Sequence, residues 1–374
     1  FDKKDLKKIN INDLINRDII VVDINKIKLE VENKIILVTG AAGSIGSEIT
    51  KQICKYNPKI IIAIDIAETP LHNLKSDISD KTLIAHTKII YKTLSIIDYN
   101  GLKSVFDQYN PDIVYHAAAF KHVPMMEDNP KCAVENNIIG TFNLLKLVNE
   151  NSTFKFIYIS TDKAVNPTNV MGATKRFSEL LVQYFSKLDS NKSIYVTTRF
   201  GNVLGSNGSV IPRFQHLIDN NMAITLTSAK ITRYFMTIPE ACSLVLDAST
   251  FGKNSQIFVF DMGKPVKILD LAKKMLLLNG LNPESEDYIK YIGLRPGEKL
   301  TEELLTESDN CLPTHNEKLF VAIPDDLKSS NILSGYNSLK KHIELNSDDH
   351  TIVKILKDYI PEFISNNSVF TSLD

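Results

Sequence analysis

Asp162, Lys163 and Lys175 fall close together in the chain, with Ser160 and Thr161 directly before them. Carboxyl, ammonium and hydroxyl groups gathered in one short stretch can pass protons to and from a bound molecule. An adjacent Asp-Lys pair is equally what a solvated ion pair after a strand looks like, and the pair by itself leaves both readings open. A second group of residues addresses phosphate. In Thr39-Gly40-Ala41-Ala42-Gly43-Ser44-Ile45-Gly46 the glycines let the backbone turn tightly and let a pyrophosphate approach the amides of Gly43, Ser44 and Ile45 at a helix N-terminus. Gly46 lets that helix pack close to the preceding strand. Asp65 stands 19 residues beyond Gly46. A carboxylate there can accept both hydroxyls of an adenosine ribose and would repel a 2′-phosphate. No Arg follows closely, so the expected cofactor is NAD rather than NADP. A helix-capping Asp is the plainer alternative.

These groups need elements to hold them. Residues 35–38 form a continuous apolar run, as in a strand buried on both faces of a parallel sheet, and similar runs recur at 60–64, 89–94, 113–115, 156–159 and 194–198. Helical stretches lie between them, including 45–56 and 137–149. This alternation predicts an α/β fold with a Rossmann-type doubly wound parallel sheet and right-handed crossovers. The glycine turn then follows the first strand and Asp65 ends the second. Ser95 and Ile96 end the third beside an adenine, and Ala117, Ala118 and Ala119 close the fourth, leaving room for ribose and nicotinamide. The proton-transfer group ends the fifth.

Beyond about residue 200 the alternation loosens into a smaller mixed α/β substrate-binding lobe. Ile268, Leu271, Ala272, Met275 and Leu276 share one helical face, and Ile352, Ile355, Leu356, Tyr359 and Ile360 repeat the pattern before Pro361. The expected division is a connecting segment at 1–33, an NAD-binding domain at 34–200, the lobe at 201–325 interleaved with it, and a helical tail at 326–374. Within the first segment, 11–16 reads as a short helix and 19–22 as extended.

Composition narrows the function classes. The chain has 374 residues, 43% hydrophobic and 23% charged, with a net charge of -1. That is ordinary for a globular protein with a large core, and no single-sign field suits a general nucleic-acid binder. Cys54, Cys132, Cys242 and Cys311 are widely spaced and the histidines form no HExxH, so reduced thiols and no metal are expected. No apolar run approaches the roughly 20 residues that span a bilayer.

The end of the fifth strand and the helix after it resemble the extended short-chain dehydrogenase/reductase superfamily, which carries a Ser or Thr, then a Tyr and a Lys spaced YxxxK. Lys175 stands at the Lys position and Met171 at the Tyr position, where a thioether cannot exchange a proton. The string Ser160-Thr161-Asp162-Lys163-Ala164-Val165-Asn166-Pro167-Thr168-Asn169-Val170-Met171-Gly172 is similar to the membrane-associated UDP-N-acetylglucosamine 4,6-dehydratases of bacterial bacillosamine, O-antigen and capsule synthesis. So are Lys121-His122-Val123-Pro124, Arg199-Phe200-Gly201-Asn202-Val203-Leu204-Gly205-Ser206, Thr232-Arg233-Tyr234-Phe235-Met236 and Gly293-Leu294-Arg295-Pro296-Gly297-Glu298-Lys299-Leu300. More familiar sugar 4,6-dehydratases carry Glu where this chain carries Lys163. The resemblance covers roughly residues 10–325.

It implies a C5-retaining dehydration in which C4 is oxidised, water leaves across C5 and C6, and the hydride returns at C6, so that a tightly held NAD ends unchanged. Asp162 would be the acid at C6, kept protonated by burial. Lys163 would be the base at C5, its pKa depressed by Lys175 and the oxidised nicotinamide. Lys175 would bind the nicotinamide ribose, and Thr161 with an ordered water would relay the C4 hydroxyl proton toward Asp162. Lys121, His122, Asn202, Ser209, Val210, Arg233, Arg295 and Glu298 would line the UDP-sugar site, with Arg199 and Arg213 better read as structural or surface groups. A C5-inverting dehydratase, a UDP-sugar 4-epimerase and an inactive NAD-binding scaffold are the rival readings. The resemblance also implies a homo-oligomer at the cytoplasmic face of a bacterial inner membrane. Asn12-Asp13-Leu14-Ile15-Asn16-Arg17 looks like the segment that joins such domains to a membrane anchor.

Overall fold

The computed structural model describes residues 20–79, 87–151, 153–304, 311–322 and 331–374. The helix expected at 11–16, the start of the extended piece at 19 and the connecting string 12–17 lie outside them. All six expected strands form: β1 (Ile35–Thr39), β2 (Ile60–Asp65), β3 (Lys88–Thr93), β4 (Ile113–His116), β5 (Lys155–Ile159) and β6 (Ile194–Arg199). After them come β7 (Asn202–Leu204), β8 (Ile224–Leu226), β9 (Thr232–Arg233), β10 (Phe235–Thr237) and β11 (Gln256–Phe260). The last four are β12 (Val266–Lys267), β13 (Ile289–Tyr291), β14 (Cys311–Pro313) and β15 (Leu319–Ala322).

The main sheet runs β14-β15-β11-β6-β5-β4-β1-β2-β3. β1 to β6 and β11 are parallel, while β15 runs antiparallel to β11 and β14 antiparallel to β15. The chain moves outward from β1 to β3 and then returns to place β4 on the other side of β1. The strand order therefore reverses between β1 and β4, and a crevice opens there at the carboxyl ends of the strands. This is the α/β, Rossmann-type architecture that the alternating runs predict.

Burial on both faces explains why the strands read as unbroken apolar runs. Successive side chains point to opposite faces: Leu37, Phe156 and Tyr158 enter one core, while Ile36, Val38, Ile157 and Ile159 enter the other. Helices Gly140–Glu150, Val170–Ser186, Ile332–Glu344 and Asp349–Tyr359 cover the first face, and Ile24–Val31, Ser44–Ile53 and Ile238–Phe251 the second. A third, smaller core joins Leu204, Phe214, Ile224, Leu271 and Met275, bringing helices Val210–Asp219 and Ile268–Leu278 together with β8.

The stretch 137–149 is helical but does not start as a plain α-helix. Val134–Ile139 forms a wide π-helical turn ahead of Gly140–Glu150. The Asn137 carbonyl accepts the hydroxyls of Thr141 and Ser178, and its side chain both donates to and accepts from the Phe120 backbone. Those bonds hold the helix open beside the crevice, where such turns commonly occur.

Candidate active site

The crevice is built from the β1 turn upward. Gly40 has φ of 65°, and a Cβ on it would lie 2.6 Å from the Ala118 nitrogen. A Cβ on Gly46 would lie 2.1 Å from the Gly40 oxygen, so the helix Ser44–Ile53 approaches the turn as closely as glycine alone permits. Its N-cap is Gly43, which brings no side chain to occupy the first amides. The Asp65 carboxylate accepts the Ala42 and Ala67 amides at 2.9 Å each, fixing the rim of the turn. Lone pairs remain on both oxygens for a further donor. Behind the crevice, Thr39, His116 and Thr141 form a buried hydrogen-bonded row at 2.7 and 2.9 Å. Burial, and then the nearby Lys175, hold the His116 imidazole neutral. A cavity of about 280 Å³ follows this wall, lined by Gly40, Gly43, Asp65, Ile96, Ala118 and Asn136 among others. Ser95 is not in its lining; its hydroxyl accepts the Ile97 amide instead.

Next to it lies a cavity of about 550 Å³, bounded by Ser44, Ile45, Thr161, Lys163, Met171 and Lys175. At the end of β5, Thr161 caps a single turn of 3₁₀-helix, Asp162–Ala164, and its hydroxyl donates to Asp162 Oδ1 at 2.8 Å. Lys163 Nζ donates to the same oxygen at 3.0 Å and to Asn202 Oδ1 at 3.1 Å. Asp162 is fully buried and absent from the lining, while Thr161 and Lys163 reach the cavity in front of it. Its Oδ2 has no hydrogen-bond partner and lies 3.0 Å from where a Cβ on Gly201 would stand.

The two lysines differ in a way that overturns one expectation. Burial opposes the charge on Lys163, but Asp162 and Glu302 more than offset it and raise its pKa above the ordinary lysine value. Lys175 is the depressed one, brought down to about 7 by burial against only partial support from Glu179. The expected depression of Lys163 leaned on Lys175, which burial itself disposes to lose its charge. Lys175 Nζ donates to the Ile159 carbonyl at 2.7 Å and sits 4.1 Å from the Tyr158 ring centre.

Lys163 also borders a third cavity, of about 250 Å³, together with Lys121, His122, Asn202, Ser209, Val210, Arg233, Arg295 and Glu298. All eight residues expected around a substrate are therefore brought together. Arg233 is largely spoken for: it donates to the carbonyls of Thr232, Leu300 and Lys299 and faces Glu298 at 3.6 Å and Glu302 at 3.7 Å. By contrast, Ser209 Oγ and Arg295 Nε are buried without a hydrogen-bond partner, an arrangement that a polar ligand relieves. His122 is lowered by burial and by the neighbouring Lys121 and Arg295. Arg199 is structural, gripping the buried Glu179 through two nitrogens at 2.8 and 2.6 Å. Arg213 lines the third cavity and donates to Thr225.

Sequence reasoning missed Glu302. It is 4% exposed, 3.6 Å from Lys163, and links Asp162 and Lys163 to the arginines through alternating charges. In sequence it is one acid in the mixed run Glu298-Lys299-Leu300-Thr301-Glu302-Glu303, with nothing to mark which member turns inward. Met125 and Met126, which add apolar lining to the second cavity, also passed unremarked.

The glycine turn, the reversal of strand order and the three joined cavities define an α/β protein of the Rossmann-type dehydrogenase/reductase architecture. Within that class, the chain belongs to the polysaccharide biosynthesis protein family, matched over residues 36–324. The capsular polysaccharide biosynthesis protein CapD of Staphylococcus aureus is 47% identical over 304 residues, which are 81% of this chain and 50% of that protein. The chain thus spans about half the length of that relative. Among solved structures, Pen from Bacillus thuringiensis superposes with a TM-score of 0.72 at 32% identity, covering 79% of this chain and 89% of that one. DesIV, a dTDP-glucose 4,6-dehydratase from Streptomyces venezuelae solved with NAD and TYD bound, gives 0.62 at 19% identity, over 72% of this chain and 88% of that one. At that identity the likeness speaks to the fold. Among the described residues, no helix is long and apolar enough to cross a membrane.

Proposed function

We propose that this chain is an NAD-dependent dehydratase that converts UDP-N-acetylglucosamine to the 4-keto-6-deoxy sugar with retention at C5, for bacterial surface-glycan synthesis at the cytoplasmic face of the inner membrane. One observation carries the reading: Lys163, hydrogen-bonded to the buried Asp162, stands at the junction of the cavity along the glycine turn and the cavity with the unpartnered Ser209 and Arg295 groups. The cradle fits a dinucleotide, since Gly40, Gly43 and Asp65 line one cavity, the Gly43 N-cap leaves the first helix amides open, and Asp65 keeps acceptor capacity. Bound NAD would supply a hydride acceptor at C4 and a donor at C6.

The chain's own residues would do the rest. Asp65 holds the adenosine ribose and Lys175 the nicotinamide ribose. Arg295, Ser209 and Lys121 receive the diphosphate, and Glu298 the uridine ribose. Thr161 takes the C4 hydroxyl proton toward Asp162, along the hydrogen bond already in place. Lys163 rests as the ammonium, whereas elimination needs an acid for the C6 oxygen and a base for the C5 proton. The C4 hydroxyl proton that reaches Asp162 makes it the acid for the C6 oxygen, and Lys163, 17% exposed, becomes the base for C5 once it yields its own proton to solvent. The acidic partner, fully buried, then reaches C6 through Thr161 or by turning about its side chain.

Incubation with UDP-N-acetylglucosamine in deuterated water, followed by NMR of the product, tests this. The expected product is a 4-keto-6-deoxy sugar with deuterium at C5 and retained configuration. An inverted C5 would move the assignment to the inverting branch, a C4 epimer with an intact C6 hydroxyl to the epimerases, and unchanged substrate would remove the reading.

A further inference from the structure

The region after residue 331 lies outside the stretch matched to the family, yet part of it reaches the site. Its helices Ile332–Glu344 and Asp349–Tyr359 pack on one face of the sheet, and the chain then crosses back over two loops that border the cavities. The Ile364 amide donates to the Pro167 carbonyl at 3.1 Å, and the Asn366 amide to that of Thr168 at 3.2 Å. Pro167 and Thr168 come shortly after the Asp162–Ala164 turn. The same segment grips the loop that carries Arg295 and Glu298. The Gly297 amide donates to the Asn366 carbonyl at 2.7 Å, Asn366 Nδ2 to the Glu298 carbonyl at 2.8 Å, and Asn367 Nδ2 to the Leu294 carbonyl at 2.7 Å. Ser368 then donates to the buried Glu127, whose other oxygen accepts the Val170 amide at 2.7 Å. Val170 starts the helix that carries Met171 and Lys175.

We infer that residues 364–368 form a strap that sets the substrate loop against the catalytic turn, with Asn366 and Asn367 positioning Arg295 and Glu298, and Ser368 positioning the start of the Met171–Lys175 helix through Glu127. Gly297 is where the two loops meet: its carbonyl accepts Thr168 Oγ1 and Asn169 Nδ2, each at 3.0 Å. A Cβ on Gly297 would come within 2.4 Å of the Asn169 Cβ, so the loops are pressed as close as glycine allows. The strap bonds add restraint at Leu294 and Glu298, one on each side of Arg295. None of the strap residues lines the second or third cavity, so they act through others. The inference rests on the proposed function for its substrate.

The test compares the unaltered chain with Asn366→Ala/Asn367→Ala and with Ser368→Ala, measuring UDP affinity by calorimetry, kcat and KM with UDP-N-acetylglucosamine, and the melting temperature. The double variant loses two hydrogen bonds that fix the substrate loop, so its UDP Kd and KM are expected to rise about ten-fold with kcat held within about two-fold. Ser368→Ala is expected to do the reverse, lowering kcat about three- to ten-fold while UDP affinity stays put. A strap that only stabilises the fold would lower the melting temperature of both variants and leave Kd and KM unchanged well below it, which would overturn the inference. If the double variant does not fold, Asn366→Ala alone carries the same comparison, because Asn367 has φ of 51°, where alanine would strain the backbone, and Asn366 has no positive φ. Failure of the unaltered chain to turn over the sugar would count against the dehydratase reading alone. Loss of UDP affinity in the double variant would still support the strap.

Discussion

Glu179→Gln isolates the buried ion pair behind the catalytic strand. Glu179 is fully buried and receives Ser160 Oγ at 2.7 Å, Arg199 at 2.8 and 2.6 Å, and Arg176 at 3.1 Å. Burial alone would push its carboxyl up; Arg199 first, then Arg176 and Ser160, bring it down from 4.5 to about 2. A drop of that size corresponds to about 3 kcal/mol of folded-state preference for the carboxylate. Removing one partner of a buried pair independently leads to about 3–5 kcal/mol. The variant should therefore lose about 3 kcal/mol in urea unfolding at neutral pH. Because the folded value lies below the unfolded one, this stability is present in full above about pH 4.5 and disappears as pH falls toward 2. The gap between the two proteins should close over that window. A gap under about 1 kcal/mol at neutral pH, or one that stays constant through the window, would refute the reasoning. Ser160 directly precedes Thr161, and Glu179 supports the Lys175 charge, so turnover should suffer as well.

On the proposed reading, Lys163→Ala should stop deuterium entering C5; continued exchange assigns the base elsewhere. Gly46→Ala should yield protein without bound dinucleotide and destabilised by about 1–3 kcal/mol, since its new methyl would collide with the Gly40 carbonyl; retained dinucleotide and melting temperature would contradict the cradle. Lys175→Met should abolish turnover yet stabilise cofactor-free protein by roughly 2–4 kcal/mol at pH 7. The unaltered chain, with Lys175 depressed to about 7, should gain stability as pH rises from there toward 10.5, a slope the variant lacks, and urea curves across that range decide it. Met171→Tyr should speed turnover with unchanged KM if a C4 base is what the site is short of; an unchanged rate leaves Thr161 as a sufficient relay.

The parts set by local pattern were legible in the sequence. Strands such as Ile60–Asp65 are apolar up to their last residue because helices cover both faces of the sheet, and a run of that kind has few other readings. The Gly40–Gly46 spacing was legible for a steric reason, since the two Cβ positions it leaves empty are occupied by backbone in the fold. The wide turn at Val134–Ile139 was not, because it is set by Asn137 reaching Phe120 and by Ser178 reaching back from another helix. The strap escaped for the same reason: its bonds are made by ordinary Asn and Ser groups to backbone far away in sequence.

Charge was the hardest thing to read. Lys163 and Lys175 are both largely enclosed, and although Asp162 stands beside Lys163 in sequence, an adjacent acid alone does not tell how firmly the charge is held. What separates them is which carboxylate arrives from elsewhere. Glu302 comes within 3.6 Å of Lys163 and joins Asp162 in holding it charged, while Glu179, already engaged by Arg199 and Arg176, gives Lys175 only partial support. A lysine held charged by two acids is a poor resting base, so its reactive form has to be made when substrate is present. Arg233 sits between Glu302 and Glu298 at 3.7 and 3.6 Å, and Arg295 reaches Glu298 at 3.3 Å. On the proposed reading, a diphosphate that drew Arg233 toward itself would leave more of Glu302 to Lys163 and hold it charged more firmly, so the neutral lysine has to come from proton transfer and not from nucleotide binding.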